Sequence, residues 1–468
     1  MKVPLRIVAV AVTLGLSASL GLGAGHGVAH ADRPPSANPA LRPAGDPAAP
    51  PEKTERPANS NCADIVTGGD GSTIPTAQRS LDLERAWKFS KGAGQVVAVI
   101  DTGVARHPRL PDLQAEGDFV ANVGDGTEDC DGHGTFVAGL IAASEVDGQG
   151  FAGVAPEARI MTIRQTSKMY QKEGRSREKA PDDFPDSYGN LGTMASAIVR
   201  AVDKGATVIN ISEVWCGPQK DVDGSIGAAL QYAVERDVVV VVAAGNAEDA
   251  CKTENTVVDP LDPTADPWSK VQVNVVPARW DDYVLSVGSI DSNGAPSKFT
   301  VPGPWLSVAA PGENMVSLNP RGSGTAVGAI NQRGEQGTIS GTSFATPIVA
   351  GVVALVRARF PELSAREVMK RIQATAHAPA EGWNKYIGYG AVDPIAALTD
   401  EVTGSLPPKT PTPPKSQQLA VPAAPTPPDN RARDVSLIGT GIIGGALLLG
   451  YLASFPIRRR FGVSGNDM

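Results

Sequence analysis

Short, nearly continuous apolar runs alternate along this chain with segments whose apolar residues recur at helical spacing. VVAVID (96–101), ARIMTIR (158–164), TVINIS (207–212) and VVVVVAA (238–244) are apolar at most positions. A half-exposed strand would alternate apolar and polar residues, so these runs read as strands buried on both faces. HGTFVAGLIAAS (133–144), TMASAIVRAVDKGA (193–206) and GSIGAALQYAVERD (224–237) have helical spacing, the second closed by Gly205. Strands alternating with helices predict an α/β body whose mostly parallel sheet is covered on both faces. Such sheets gather functional groups at the carboxyl ends of strands, where Asp101 and Asn246 fall. LSAREVMKRIQATA (363–376) is a late helix, with Ser364 and Glu367 spaced as a capping box. The stretch 165–192 is charged and without period, and is expected as a surface insertion.

The pattern changes at both ends. Lys2 and Arg6 precede an apolar run over 7–22, and Ala29-His30-Ala31 is a small-x-small cleavage site. Residues 1–31 therefore read as a secretion signal. Residues 32–80 are a Pro- and Ala-rich N-terminal extension that should lack a core of its own. The body is assigned to 81–400. Residues 401–434 form a Pro-rich linker, with nine prolines between 404 and 430. That part is extended, reaching about 80 Å at about 3.1 Å per residue. Residues 435–455 carry no charge and contain Gly439, Gly441, Gly444, Gly445 and Gly450. As a helix the run spans about 31 Å, the thickness of a bilayer's hydrocarbon. A membrane-spanning helix is expected there, with 456–468 as a cytoplasmic tail and the body outside the cytoplasm.

Formal net charge is −8, from 42 basic and 50 acidic residues, and no basic stripe occurs, which disfavours a nucleic-acid partner. The four cysteines of an exported chain allow three pairings. Cys216 follows TVINIS and Cys251 follows VVVVVAAGN by five residues. If both strands are parallel, both loops lie at one sheet edge. Cys216–Cys251 is the expected bridge, which leaves Cys62–Cys130. Free thiols or another pairing is the alternative.

Three segments carry the chemistry. Asp101 ends an apolar strand, His133 lies in Asp131-Gly132-His133-Gly134-Thr135, and Ser343 opens a helix after Gly341-Thr342. A serine hydroxyl is a poor nucleophile until a base takes its proton and an acid orients that base. Asp101, His133 and Ser343 are candidate acid, base and nucleophile. Helix-terminal amides near Ser343 would favour a developing oxyanion. Asn246, an amide at a strand end, is a candidate oxyanion donor. Each residue alone has a structural explanation; the four in this order point to acyl transfer. Pro347 should fit within the first turns of the helix that Ser343 opens, or kink it.

VVAVIDTGV, DGHGTFVAGLIA, VVAAGN and GTSFATPIVAGVVALV resemble the subtilisin-like serine proteases over about 90–400. The resemblance implies a three-layer α/β/α fold and an Asp-His-Ser endopeptidase acting on a protein or peptide substrate. It also implies that Ser212, Glu213 and Trp215 lie beside the substrate, with core packing an equal reading for Trp215, and that His107 is structural. A signal, a short extension, four cysteines, a Pro-rich stalk and one C-terminal span resemble the mycosins among them. That narrower likeness implies association with a type VII secretion membrane complex, and an extension that wraps the body, tied by Cys62. No cofactor is expected. No cluster of calcium-ligand carboxylates stands out, so no metal is expected either.

Two other readings fit parts of the sequence. The stalk and span also suit a structural subunit whose catalysis is dispensable. An α/β-hydrolase needs Ser, then Asp or Glu, then His; only His377 follows Ser343, with Glu362 and Glu367 but no aspartate between, and Gly341-Thr342-Ser343-Phe344-Ala345 lacks the second glycine of that fold's nucleophile elbow.

Overall fold

The computed structural model describes residues 33–57, 61–174, 179–218, 222–252, 255, 266–330, 334–409 and 428–460. The expected signal at 1–31 lies outside them, as does most of the linker. The chain divides into two units, Met1–Pro413 and Pro414–Met468.

The first unit is built on a sheet of seven strands: β1 (Val96–Asp101), β2 (Gln114–Asp118), β3 (Arg159–Arg164), β4 (Val208–Ile211), β5 (Val239–Ala243), β6 (Val284–Ile290) and β7 (Leu306–Pro311). Their order is β7-β6-β5-β4-β1-β3-β2, with every neighbouring pair parallel. Successive residues of the buried strands serve opposite faces. Val97 and Val99 join one apolar cluster with helices α1 (His133–Ala142), α4 (Thr342–Arg359) and α5 (Ala365–Ala374). Ala98 and Ile100 join the other, with α2 (Leu191–Asp203) and α3 (Gly224–Glu235). Val239 and Val241 against Val240 and Val242 repeat the division in β5. This two-sided burial is why the strands read as unbroken apolar runs. Each valine so buried contributes about 1.5–3 kcal/mol.

The strand order reverses beside β1. Its neighbours β3 and β4 send the chain in opposite directions, the kind of point at which open α/β sheets place their sites. Asp101 is the last residue of β1.

Three local outcomes refine the sequence reading. Helix α2 begins at Leu191, where Asn190 and Thr193 form a capping box, two residues before the expected start. The stretch 165–192 is not simply a solvated insertion. Met169, Phe184 and Tyr188 are buried, and Gln171–Lys172 pairs with Thr54–Glu55 of the extension. Isolated apolar anchors in a loop leave no period to read. Among its described residues, the extension packs on the body: Ala37 and Ala48 lie against one cluster, and Ala77 belongs to the other. Asp64–Thr67 adds an antiparallel strand to Thr325–Ile330.

In the second unit, helix α6 (Arg431–Arg460) carries the charge-free run. Its Arg431–Ile457 portion, 27 residues, is long and apolar enough to cross a membrane and none of it is buried. Helix α4 passes the same length and composition test, but 78% of it is buried, as the central helix of the body.

Gly351 of α4 shows how closely that helix is seated. A Cβ there would lie 2.5 Å from Cβ of Val154, a stiff branched side chain. Gly351→Ala should destabilise the protein by about 1–3 kcal/mol through overpacking, despite a helix-propensity gain of about 1 kcal/mol. Guanidinium unfolding measures this; a net gain in stability would contradict the packing described.

Candidate active site

Asp101 is fully buried at the end of β1. Its Oδ1 accepts the Thr102 amide at 2.7 Å and faces Nδ1 of His133 at 2.7 Å. Its Oδ2 has no hydrogen-bond partner among the described protein atoms. A buried carboxylate with so few donors draws strongly on a positive neighbour. Burial opposes protonation of His133, but the charge and hydrogen bond of Asp101, followed by Glu213 and Asp129, outweigh it and raise its pKa to about 9. Glu213 Oε1 lies 3.5 Å from the same nitrogen.

His133 is the first residue of α1, preceded by Gly132 at φ +84°, a left-handed conformation that favours glycine. The helix start is held by a residue that sequence reasoning passed over. Asp129, buried before the helix, accepts Gly132 N (2.7 Å) and the Thr102 hydroxyl (2.8 Å) on Oδ1. On Oδ2 it accepts Thr135 N (2.8 Å) and the Thr135 hydroxyl (2.6 Å). Thr102 in turn accepts Gly134 N at 2.9 Å. One carboxylate therefore ties the turn after β1 to the first turn of α1. Burial pushes the Asp129 carboxyl up to about 6, against the pull of these donors. The available signal was an acid just before a helix start, where the dipole favours it.

Ser343 sits in the first turn of α4. Its hydroxyl donates to the Ser212 carbonyl at 3.0 Å, and no hydrogen bond joins it to His133. Pro347 lies inside the helix and has no amide to donate to the Ser343 carbonyl four residues earlier. The Ser212 hydroxyl donates to that carbonyl instead, at 2.8 Å. The proline thus leaves an acceptor that stitches α4 to the end of β4. Phe344 packs beside the imidazole, ring centroids 5.1 Å apart.

Asn246 follows β5. Its Oδ1 accepts Thr342 N (3.0 Å) and the Thr342 hydroxyl (3.1 Å). Both contacts need an acceptor, so they fix the amide's orientation and leave Nδ2 with no protein partner among the described residues. Gly341 gives it room: a Cβ there would come within 3.1 Å of Nδ2.

With this geometry in view, comparison with known proteins is informative. Residues 92–390 match the model of the Subtilase family. Mycosin-4 of Mycobacterium tuberculosis (strain ATCC 25618 / H37Rv) is 42% identical over 452 residues, 94% of each chain. Mycosin-1 of Mycolicibacterium smegmatis (strain ATCC 700084 / mc(2)155) is 39% identical over 404 residues, 85% of this chain and 88% of the relative. The chain belongs to the mycosins, serine proteases of the subtilase family. Among solved structures, the MycP3 protease from the type VII (ESX-3) secretion system aligns at TM-score 0.72 and 43% identity, over 79% of this chain and 100% of that one. A chain of the intact ESX-5 inner membrane complex aligns at 0.73 and 40%, over 91% and 99%.

The remaining expected residues of this mycosin fall as follows. Cys62 is bonded to Cys130, with Cα atoms 4.6 Å apart, and Cys216 to Cys251, at 5.1 Å. The first bridge fixes the extension one residue from Asp131 and three from His133. Ser212 and Glu213 border the site, but the Trp215 side chain does not. It is 3% exposed in the core, because Trp215–Gly217 pairs with Asn274–Val276. His107 is buried, with Nδ1 accepting Arg109 N at 3.1 Å and Nε2 donating to Gly324 O at 3.2 Å, a structural arrangement. Among the described residues, Asp101, His133 and Glu213 form the one group that could hold a metal, their ligand atoms within 4.8 Å of one another. An ion there would have to displace the 2.7 Å contact between Asp101 and His133.

Asp129→Ala should cost about 2–4 kcal/mol, since it leaves several buried donors unpaired. Thermal and chemical unfolding test this; a loss below about 1 kcal/mol would mean that the first turn of α1 is positioned without that carboxylate.

Proposed function

We propose that this subtilase cleaves peptide bonds through Asp101, His133 and Ser343, by way of an acyl-enzyme. The observation that carries the reading is the buried Asp101–His133 pair at the rim where α4 presents Ser343. For the reaction the Ser343 hydroxyl has to leave the Ser212 carbonyl and reach Nε2 of His133. The imidazole then takes the proton as oxygen attacks the peptide carbonyl, with Asp101 stabilising the imidazolium. The free Nδ2 of Asn246 and the amide of Ser343 would hold the oxyanion. His133 next protonates the leaving amine, and water releases the acyl group. Ser212 and Glu213 would border the bound substrate.

The body, 81–400, is placed outside the cytoplasm by a removed signal at 1–31, a linker at 401–434, a single span at 435–455 and a cytoplasmic tail at 456–468. The apolar helix and the Arg458-Arg459-Arg460 cluster after it support that arrangement. Likeness to a chain of the ESX-5 inner membrane complex over 91% of the sequence supports work within a type VII secretion complex.

Ser343→Ala should abolish phosphonylation by a fluorophosphonate probe, read by mass spectrometry of the labelled peptides; undiminished labelling of the variant would reject Ser343 as the nucleophile. Asn246→Ala should lower kcat about 100- to 1,000-fold with KM little changed, the loss known for removing one oxyanion donor from subtilisin. An unchanged kcat would remove Asn246 from the reaction.

A further inference from the structure

His133 Nδ1 carries one hydrogen at most, and Asp101 at 2.7 Å is placed to accept it. A second carboxylate, Glu213, nevertheless faces that nitrogen at 3.5 Å, too far to share the bond well but close enough to act through its charge. We propose that Glu213 is a positioning residue which holds His133 in its imidazolium form and so sets the pH above which Ser343 can be activated. The inference rests on the reading of His133 as general base.

The surroundings favour this. Asp101 from the end of β1, Asp129 from the turn before α1 and Glu213 from the segment after β4 all bring negative charge to the imidazole. Helix α4 offers only the neutral Phe344 ring and the Ser343 hydroxyl. Facing Glu213 itself are His133, Asp101, Asp131 and the cation Lys168. Burial raises Glu213 to about 7, with His133 drawing it down and Asp101 opposing. The charge of an ionised Glu213, 3.5 Å from Nδ1, adds to that of Asp101 and delays loss of the His133 proton. An imidazolium has no lone pair on Nε2 for the Ser343 proton. The Ser343 hydroxyl meanwhile donates to the Ser212 carbonyl. The adjoining residues Ser212 and Glu213 thus restrain nucleophile and base together.

The test uses the full chain in detergent and phenylmethylsulfonyl fluoride, an uncharged probe, with the Ser343 acylation rate measured from about pH 5.5 to pH 10. The wild type should show an acid limb above the ordinary histidine range of about 6.5. Glu213→Gln should move that limb down by about one unit or more, so that the rate at pH 7, as a fraction of the variant's own high-pH plateau, rises about tenfold. Glu213→Asp should return the limb toward wild type. A Glu213→Gln limb within about 0.3 unit of wild type, or a lower plateau with no shift, would overturn the proposal. If Glu213→Gln fails to fold, Glu213→Ala is read by the same two criteria. His133→Ala separates the two layers of argument. Loss of acylation in His133→Ala with an unshifted Glu213→Gln limb rejects the role of Glu213 alone. Acylation of His133→Ala at the wild-type rate rejects the base itself, and this inference with it.

Discussion

A carboxylate with no solvent exposure stands at the end of the central strand, and most of the site is arranged around its charge. Asp101 has the Thr102 amide and the His133 ring as partners on one oxygen, and no described protein partner on the other. Burying such a group is costly unless an opposite charge or several donors face it. The imidazole supplies what the backbone does not. The same shortage of donors that makes Asp101 costly raises the proton affinity of His133. Strength in that pair has a chemical consequence: a histidine held too firmly as imidazolium cannot accept a proton from serine.

The sheet makes the encounter possible. Residues more than 200 positions apart in the chain meet because β1, β4 and β5 run parallel and end at one rim. Short hydrogen-bonded ties then fix the loops. Asp129 joins the turn after β1 to α1, Ser212 joins β4 to α4, and Thr342 joins α4 to Asn246. The Cys62–Cys130 bridge and the strand at Asp64–Thr67 fasten the extension to the same side of the body. Few of these ties are apolar, so they specify position more than they add stability.

Much of this was legible from residues alone. Unbroken runs such as Val238–Val242 can only be strands covered twice, and glycines beside His133 and Ser343 mark close approaches of backbone. What stayed hidden depended on partners distant in sequence. Pro347 looks like a helix-breaker until the Ser212 hydroxyl is seen serving the carbonyl it leaves unpaired. Asp129 looks like one more loop acid until four donors converge on it. Trp215 suits either the substrate's border or the core in sequence, and a short antiparallel pairing turns its side chain into the core. Met169, Phe184 and Tyr188 are single anchors in a polar stretch, and burial of that kind has no periodicity.

The central claim is that Asp101 and its neighbours hold a proton on His133 beyond the pH at which a free histidine would lose it. Titration of the protein carrying ¹⁵N-labelled histidine, followed by NMR of the ring nitrogens, reads that directly. The account predicts that His133 remains an imidazolium, with its Nδ1 proton strongly deshielded, as pH rises past about 7 toward about 9. A His133 ring that titrates at or below about 6.5 would contradict it.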